Sequence, residues 1–453
     1  MTRSDAPRGT ALVIGASITG SLAAKVLSER FDRVILIDKD SVPKHADTRA
    51  KVPQEHHVHL LLQRGRENME RLYPGFLGEL EADGAEVIDL SHGVKWHLAG
   101  RWKNRWPTGI TAHYCSRTLV EHRLRSRALL LSGVELMQRT VVQGLLWNSD
   151  RTRITGLRIN RPDAAAEDLA ADFVLDTSGR GSSASAWLRA QGYDKPESEH
   201  VVSRLGYASR IYRRDPTMAA KWDVLLITPR LPDNCRMGVI SPIEGGRWMV
   251  TAGGWLGQFP EASEESFLGF LRDLPVPDIY DAIVKAKPLT DVRRFVLSGG
   301  LRRRYDRLER FPKGFFVLGD AVCSFNPIYS QGMSVSSMQV MAFAERFEDF
   351  IAGRVAAPEL FGHTLGATRK SWDQARSGDE RFPEVCGAGM PRNRWRDAYL
   401  DELVQASHED RTITLALLRA NNLMTDAPSL TGPRMILRTL HNSARRRLGV
   451  SVT

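Results

Sequence analysis

Ala11-Leu-Val-Ile-Gly15-Ala-Ser-Ile-Thr-Gly20 is the stretch that decides the fold. Ala11–Ile14 is an apolar run of strand length, and Ser21-Leu-Ala-Ala-Lys-Val-Leu27 behind the second glycine has helical spacing. A second apolar run, Val34-Ile-Leu-Ile37, delivers Asp38. A strand, a glycine turn, a helix, a strand and an acid within about 30 residues is the arrangement that binds a dinucleotide. Gly15 makes the turn, position 17 brings backbone close to a pyrophosphate, and Gly20 lets the helix pack on the strand. The diphosphate would rest on the helix N-terminus, where unpaired N–H groups and the helix dipole favour negative charge. Asp38 would accept from a ribose hydroxyl. Serine stands at 17 where this pattern has glycine, and its hydroxyl is placed to donate to a phosphate. Arg3 and Arg8 before an apolar run suggest a signal peptide, but Gly15, Ser17 and Gly20 break that run and a second strand follows.

The bulk numbers narrow the class. A chain of 453 residues holds two or three domains, and 42% hydrophobic with 26% charged residues is a globular composition. No apolar run approaches the ~18–20 residues that span a bilayer. Cys115, Cys235, Cys323 and Cys386 are far apart and form no C-x-x-C, which argues against a disulfide framework or zinc site and suits a reducing cytoplasm. The net charge of +10 reads as an arginine-rich surface. The basic residues are scattered, not interleaved with aromatics, so no nucleic-acid partner is expected.

After Asp38 the chain enters a loop with Pro43 and Pro53, then a helix from Leu60 to about Arg71. His56, His57 and His59 lie in that loop; without helical i,i+4 spacing or a well-placed acid they are expected at the cofactor site or surface, not on a metal. Residues 86–112 read as strands carrying Trp96, Trp102 and Trp106, fit either for a pocket or a sheet core. Ser116 caps a helix through Arg125. Strands follow at Val134–Met137, Val141–Leu146 and Ala171–Asp176. The last leads into Thr177-Ser-Gly-Arg-Gly-Ser-Ser-Ala184, a literal G-x-G-x-x-A; the helix after it is short, Pro196 intervenes and no second strand-plus-acid follows, so it is not a second dinucleotide domain. Alternating stretches from about 200 to 285, with Glu244-Gly-Gly246 as a hairpin turn, predict an antiparallel sheet. Phe315–Leu318 is a buried-strand run before Gly319-Asp320, and a helix runs from Ser334 to about Ile351. Helices resume from 395, ending in a basic tail, Arg438–Arg447, expected at the surface, with lipid contact as the weaker reading.

Three separated motifs together resemble the single-component FAD-dependent aromatic hydroxylase family: Gly15–Gly20 with Asp38, Asp176-Thr-Ser-Gly-Arg-Gly-Ser182, and Gly319-Asp-Ala-Val-Cys-Ser-Phe-Asn-Pro327 with Ser330-Gln-Gly332. Lys51–His59 and Gly319–Tyr329 are similar to the branch of bacterial epoxidases that act in polyether and polyene biosynthesis. Ser17, Cys323 and Ser330 depart from the wider family pattern. The resemblance implies an α/β fold: a Rossmann-like FAD-binding domain with an inserted antiparallel β-sheet substrate domain and C-terminal helices. The expected bounds are 1–85, 107–190 and 286–385 for FAD binding, 86–106 and 191–285 for substrate, and 386–453 for the helical region.

The resemblance also implies site roles. Gly15, Ala16, Ser17, Thr19 and Gly20 hold the FAD diphosphate, and Asp38 with Lys39 the adenosine ribose. Arg49 and Arg117 lie toward the flavin, Val142 presents backbone to adenine, and Asp320 meets the ribityl or diphosphate region. Pro327, Gly332 and Met333 line the isoalloxazine. The activity implied is that of an FAD-dependent monooxygenase. One O2-derived oxygen atom passes, through a flavin C4a-hydroperoxide, to an apolar alkene, polyene or aromatic intermediate of secondary metabolism. NAD(P)H as a transient reductant, or a separate flavin reductase, supplies electrons. No side chain stands out as catalytic and no metal is expected. A flavin-dependent halogenase is a rival without its W-x-W-x-I-P segment or an evident lysine here; a prenyl-chain reductase or cyclase on the same fold and a non-catalytic nucleotide binder are the others. Tyr207, Arg210, Trp248 and Trp255 on the inserted sheet suit a pocket or a core equally.

Overall fold

The computed structural model describes residues 9–162, 164–215, 221–386, 394–426 and 428–448; Arg3 and Arg8 lie outside them. Five parallel strands form the first layer, in the order Phe315–Val317, Phe173–Asp176, Thr10–Ile14, Arg33–Ile37, Val134–Met137. Thr10–Ile14 is central because the chain first builds outward on one side of it, then returns to build on the other. Its carboxyl end is therefore the switch point, where a crevice opens between diverging connections. The near-continuous burial of Ala11–Ile14 and Val34–Ile37 is what a parallel sheet covered on both faces requires.

The helix Ile18–Ser28 covers one face together with Gly332–Ile351, which in turn packs on Ala357–Asp379. Phenylalanines knit this layer: Phe316 stacks on Phe361 at 4.0 Å, and Phe173 meets Phe347 edge-on at 5.2 Å. Each such ring buried is worth about 2–3 kcal/mol.

The second layer is an eight-stranded sheet in the order 323–324, 293–304, 197–213, 247–254, 236–243, 224–227, 94–98, 101–102. The expected hairpin at Glu244-Gly-Gly246 joins Arg236–Ile243 to Arg247–Gly254. The sheet is antiparallel except where Val224–Ile227 runs parallel to Val94–Leu98, a strand supplied from much earlier in the chain. The sheet also runs past the expected boundary at 285, because Arg293–Arg304 pairs along Glu197–Arg213. Glu86–Asp89 pairs instead with Thr111–Tyr114 as a separate ribbon, so the early substrate segment is not all in this sheet. The helix expected from Leu60 begins at Gln63.

Trp248 sits in the apolar core under this sheet, and the Trp255 indole donates to Asp379 at 2.8 Å. Arg210 donates to the Thr290 carbonyl, and Tyr207 packs on His57. These four side chains belong to the body of the sheet. Trp102 and Trp96 likewise pack against apolar clusters at its edge.

The C-terminal helices Arg394–Ala406, Arg411–Asn421 and Pro433–Arg447 close over that edge. Lys103 anchors them: its buried ammonium donates to the Ser407 carbonyl and, at 2.8 Å, to Thr414 Oγ1. Cys115, Cys235 and Cys323 are free thiols. Among the described residues no helix is long and apolar enough to cross a membrane.

Candidate functional site

One cavity of about 470 Å³ opens at the carboxyl ends of the parallel strands. Gly15, Ser17 and Thr19 line it from the first turn, Asp38, Lys39 and Arg49 from the second strand and the loop behind it, and Arg117 and Val142 from farther along. Asp320, Pro327, Gly332 and Met333 line it from the late motif. The folding pattern thus brings together residues some 300 positions apart. Ala16 and Gly20 alone of the predicted set stand behind the wall.

Local geometry explains the first turn. Gly15 has φ +102°, a conformation side chains rarely adopt. A Cβ on Gly20 would lie 1.9 Å from the Gly15 carbonyl oxygen, so only glycine lets the helix sit this close to the strand. Ala16 is fully buried and its N–H donates to Asp38 at 2.9 Å, which removes it from the list of free phosphate donors.

Asp38 is more occupied than a simple ribose acceptor. It takes the Ala16 N–H and the Arg49 guanidinium on one oxygen and the Asp40 N–H on the other. Arg49 is buried and held by three carboxylates: Glu121 at 2.6 Å, Asp38 at 2.9 Å and Glu55 at 3.5 Å. Burial opposes its charge, and those three carboxylates more than offset it. Glu121 also binds Arg125 at 3.1 Å and Arg117 at 3.5 Å, and accepts from the Ser17 hydroxyl at 2.5 Å. The Ser17 hydroxyl is therefore committed to a protein carboxylate, not left for a phosphate. Burial first, and the Glu121 charge second, push the Glu55 carboxyl up to about 6.

Glu55, Glu121 and Arg125 went unmarked in the sequence. So did Arg180, which lines the cavity from the Asp176–Ser182 turn. Its guanidinium donates to Ser324 Oγ at 2.5 Å and Ser298 Oγ at 3.1 Å and has no carboxylate within ion-pair reach among the described residues. Asp176 itself is fully buried, accepting from Ser178 N–H and Ser182 Oγ, and serves to shape the turn. Burial raises the Asp320 carboxyl, with Arg117 and Arg180 opposing the rise.

Two helix N-termini face this cavity. Ile18–Ser28 and Gly332–Ile351 both begin without a side-chain cap, so their first-turn N–H groups have no intrahelical or capping partner. By contrast, Ser116 caps the helix Arg117–Leu129 through the Leu119 N–H. Two open N-termini, Arg117 and Arg180 along one elongated cavity suit a ligand that is anionic at more than one place. An extended dinucleotide fits this donor set. The three histidines separate: His59 lines the cavity, His57 is buried behind it and His56 is only partly buried.

No family model matches the chain. It is 29% identical over 454 residues to Protein Rv3254 of Mycobacterium tuberculosis, an alignment covering 97% of this chain and 94% of that protein. It is 23% identical over 370 residues to a tryptophan 2-halogenase of Chondromyces crocatus, covering 76% and 62% respectively. Among solved structures, a flavoprotein/dehydrogenase from Cytophaga hutchinsonii superposes with TM-score 0.69 at 16% identity over 97% of this chain and 100% of that one. The flavin-dependent brominase Bmp2 gives 0.64 at 16% over 96% and 99%, and PqsL, a probable FAD-dependent monooxygenase from Pseudomonas aeruginosa, 0.57 at 16% over 90% and 99%. The fold is that of FAD-binding flavoproteins, with a parallel α/β layer, antiparallel sheets and C-terminal helices.

Proposed function

We propose that this chain is an FAD-dependent monooxygenase that transfers one atom of O2 to an apolar alkene, polyene or aromatic substrate. The observation that carries the reading is the single cavity joining the Gly15–Gly20 turn to the Gly332 helix N-terminus past Asp320. The flavoprotein fold and the flavin-dependent oxidative enzymes among its structural neighbours support it.

FAD, when bound, supplies the redox chemistry and the activation of O2. The protein's part is to bind, orient and exclude water. In this reading the uncapped N-terminus at Ile18 and Thr19 receives the diphosphate, with Arg117 and Arg180 as its cations. Asp38 and Lys39 hold the adenosine end and the Val142 backbone the adenine. Asp320 accepts from a ribityl hydroxyl, its burial making that hydrogen bond strong. Pro327 would form a wall for the ring, and the Gly332–Met333 N–H groups at the open helix N-terminus would favour negative charge there. NAD(P)H or a reductase partner would supply the two electrons that, with two protons, carry the second oxygen atom to water.

The test is the visible spectrum of purified protein, then oxygen consumption with NAD(P)H or a flavin reductase and a panel of polyenes, prenylated aromatics and phenols. A yellow protein that consumes no oxygen under any of these conditions sinks monooxygenation. Halogenation is the second reading, favoured by the identity to the tryptophan 2-halogenase. The lysines that line the cavity are Lys39 and Lys51, with Lys51 Nζ donating to the Lys39 carbonyl at the adenosine end, so no lysine stands at the flavin end among the described residues. Product formation that requires bromide or chloride would establish halogenation instead.

A further inference from the structure

His59 is fixed in one tautomer. Its Nδ1 lies 2.8 Å from the His57 carbonyl oxygen, and a nitrogen facing a carbonyl must carry the hydrogen. A neutral ring then leaves Nε2 as a bare lone pair. Nε2 has no hydrogen-bond partner among the described residues, and the ring lines the cavity. Burial first, and the Arg117 charge second, hold the imidazole at about 3, so it stays neutral near neutral pH.

The ring's backbone is held from the inserted sheet. His57 Nδ1 contacts Ser209 Oγ at 2.8 Å, and Ser209 Oγ contacts Thr251 Oγ1 at 2.5 Å across directly paired strand positions. Thr251 Oγ1 also accepts the Val58 N–H at 3.2 Å. The His57 ring is clamped edge-on by Tyr207 at 4.5 Å. Val58 and Leu60, on either side of His59, pack in one apolar cluster with Ile328, the neighbour of Pro327. The segment that carries His59 is thus anchored where the sheet meets the Pro327 loop, and its ring lines the cavity within reach of the Arg117 charge. Phe295 and Leu297 line the same cavity.

We propose that His59 Nε2 is the specificity-determining acceptor that reads an O–H or N–H donor on the substrate. The substrate class is then a largely apolar ring or polyene bearing a hydroxyl or ring N–H beside the carbon to be oxidised. This rests on the FAD reading above. A lone buried acceptor discriminates strongly, because a ligand lacking the donor leaves it unpaired. A nitrogen so resistant to protonation recognises the donor without removing its proton.

The experiment uses the FAD-loaded full chain and two matched probe pairs, phenol against anisole and indole against N-methylindole. Binding is read from the flavin visible spectrum. Wild type should bind the donor-bearing member of each pair at least tenfold more tightly. His59→Phe should bring each pair within threefold while the FAD dissociation constant stays within threefold of wild type. His59→Gln, whose amide oxygen accepts, should restore part of the preference and controls for folding. Three results overturn the proposal: no donor preference in wild type, including no response to any probe; a preference that survives in His59→Phe; or a tenfold loss of FAD affinity in that variant, which would make the cofactor the donor. A wild-type protein that holds no flavin is a failure of the FAD reading and is visible before any probe is added.

Discussion

The Ser17 hydroxyl donates to the Glu121 carboxylate at 2.5 Å, joining two residues 104 positions apart in the chain. Serine at the middle of the glycine turn is therefore a structural choice. It ties the turn to the helix Arg117–Leu129 and feeds a carboxylate that also binds Arg49, Arg117 and Arg125. Ser17→Ala should lower the melting temperature, since a hydrogen bond to a buried charge is worth about 1.5–3 kcal/mol, and leave FAD affinity within threefold. Unchanged melting with FAD binding weakened tenfold would return the hydroxyl to the phosphate.

Glu121→Gln should be far more damaging. Removing one partner from a buried ion network leaves uncompensated charge, at a cost of about 3–5 kcal/mol. Three arginines depend on this carboxylate, so the variant should aggregate or melt well below Ser17→Ala by differential scanning fluorimetry. Melting equal to Ser17→Ala would mean the network is dispensable.

Two glycines separate folding from ligand approach. A Cβ on Gly20 collides with the Gly15 carbonyl, whereas a Cβ on Gly332 meets nothing within 4 Å. Gly20→Ala should reduce soluble expression and yield colourless protein. Gly332→Ala should fold with wild-type melting in its FAD-free form yet bind FAD at least tenfold more weakly, because the added methyl enters the space the ring would occupy. Wild-type FAD affinity in Gly332→Ala would move the flavin away from that helix.

Asp379 holds the late loop in place. One carboxylate oxygen accepts from Trp255 Nε1 and Asn326 Nδ2 at 2.8 Å and from the Tyr329 hydroxyl at 2.9 Å. Asp379→Ala leaves three buried donors unpaired, each costing about 1–3 kcal/mol. Since Asn326 and Tyr329 flank Pro327, the expected result is both a lower melting temperature and a loss of FAD affinity. Asp379→Asn, which keeps an acceptor oxygen, should be milder in both measurements.

Two buried groups give opposite pH signatures. Glu55 is pushed up to about 6, so the folded state holds more protons than the unfolded chain between its unfolded value and pH 6. Its contribution to stability is present at low pH and is lost as pH rises through 6, by about 2 kcal/mol. Wild type should therefore gain on Glu55→Gln when pH falls from 7.5 to 5. Burial lowers Lys103 to about 8, so the unfolded chain holds more protons above that value, and wild type should gain on Lys103→Met as pH rises from 7.5 to 9.5. Melting differences that do not change with pH would remove either group from this role.

Much of the parallel layer was legible because its signals are local. Ala11–Ile14, Val34–Ile37 and the glycines between them carry the strand–turn–helix pattern within one short window. The cavity-lining residues of the late motif were also legible, since Asp320, Pro327 and Gly332 recur in a familiar spacing. The inserted sheet was legible as alternation, but its limits were not. Arg293–Arg304 joins it only through pairing with Glu197–Arg213, and pairing between distant segments leaves no mark in either one.

The aromatic residues show the same limit. In a sheet with apolar contacts on both faces, Trp248 and Trp255 have the same alternation whether they line a pocket or fill a core. Among His56, His57 and His59, composition and spacing could not say which ring would reach the cavity. The His57 ring is held by Ser209 and the Val58 N–H by Thr251, some 150 to 190 residues later.

The sequence by itself determined the strand–turn–helix at Gly15–Gly20, the acid at its far strand and the class of fold, because backbone sterics and hydrophobic period act over a few residues. Only the tertiary structure decided that Ser17 answers to Glu121, that Asp38 is largely occupied by Arg49 and backbone, and that His59 and not His57 lines the cavity. Those outcomes depend on which distant side chains are desolvated together, and burial is a property of the packed chain as a whole.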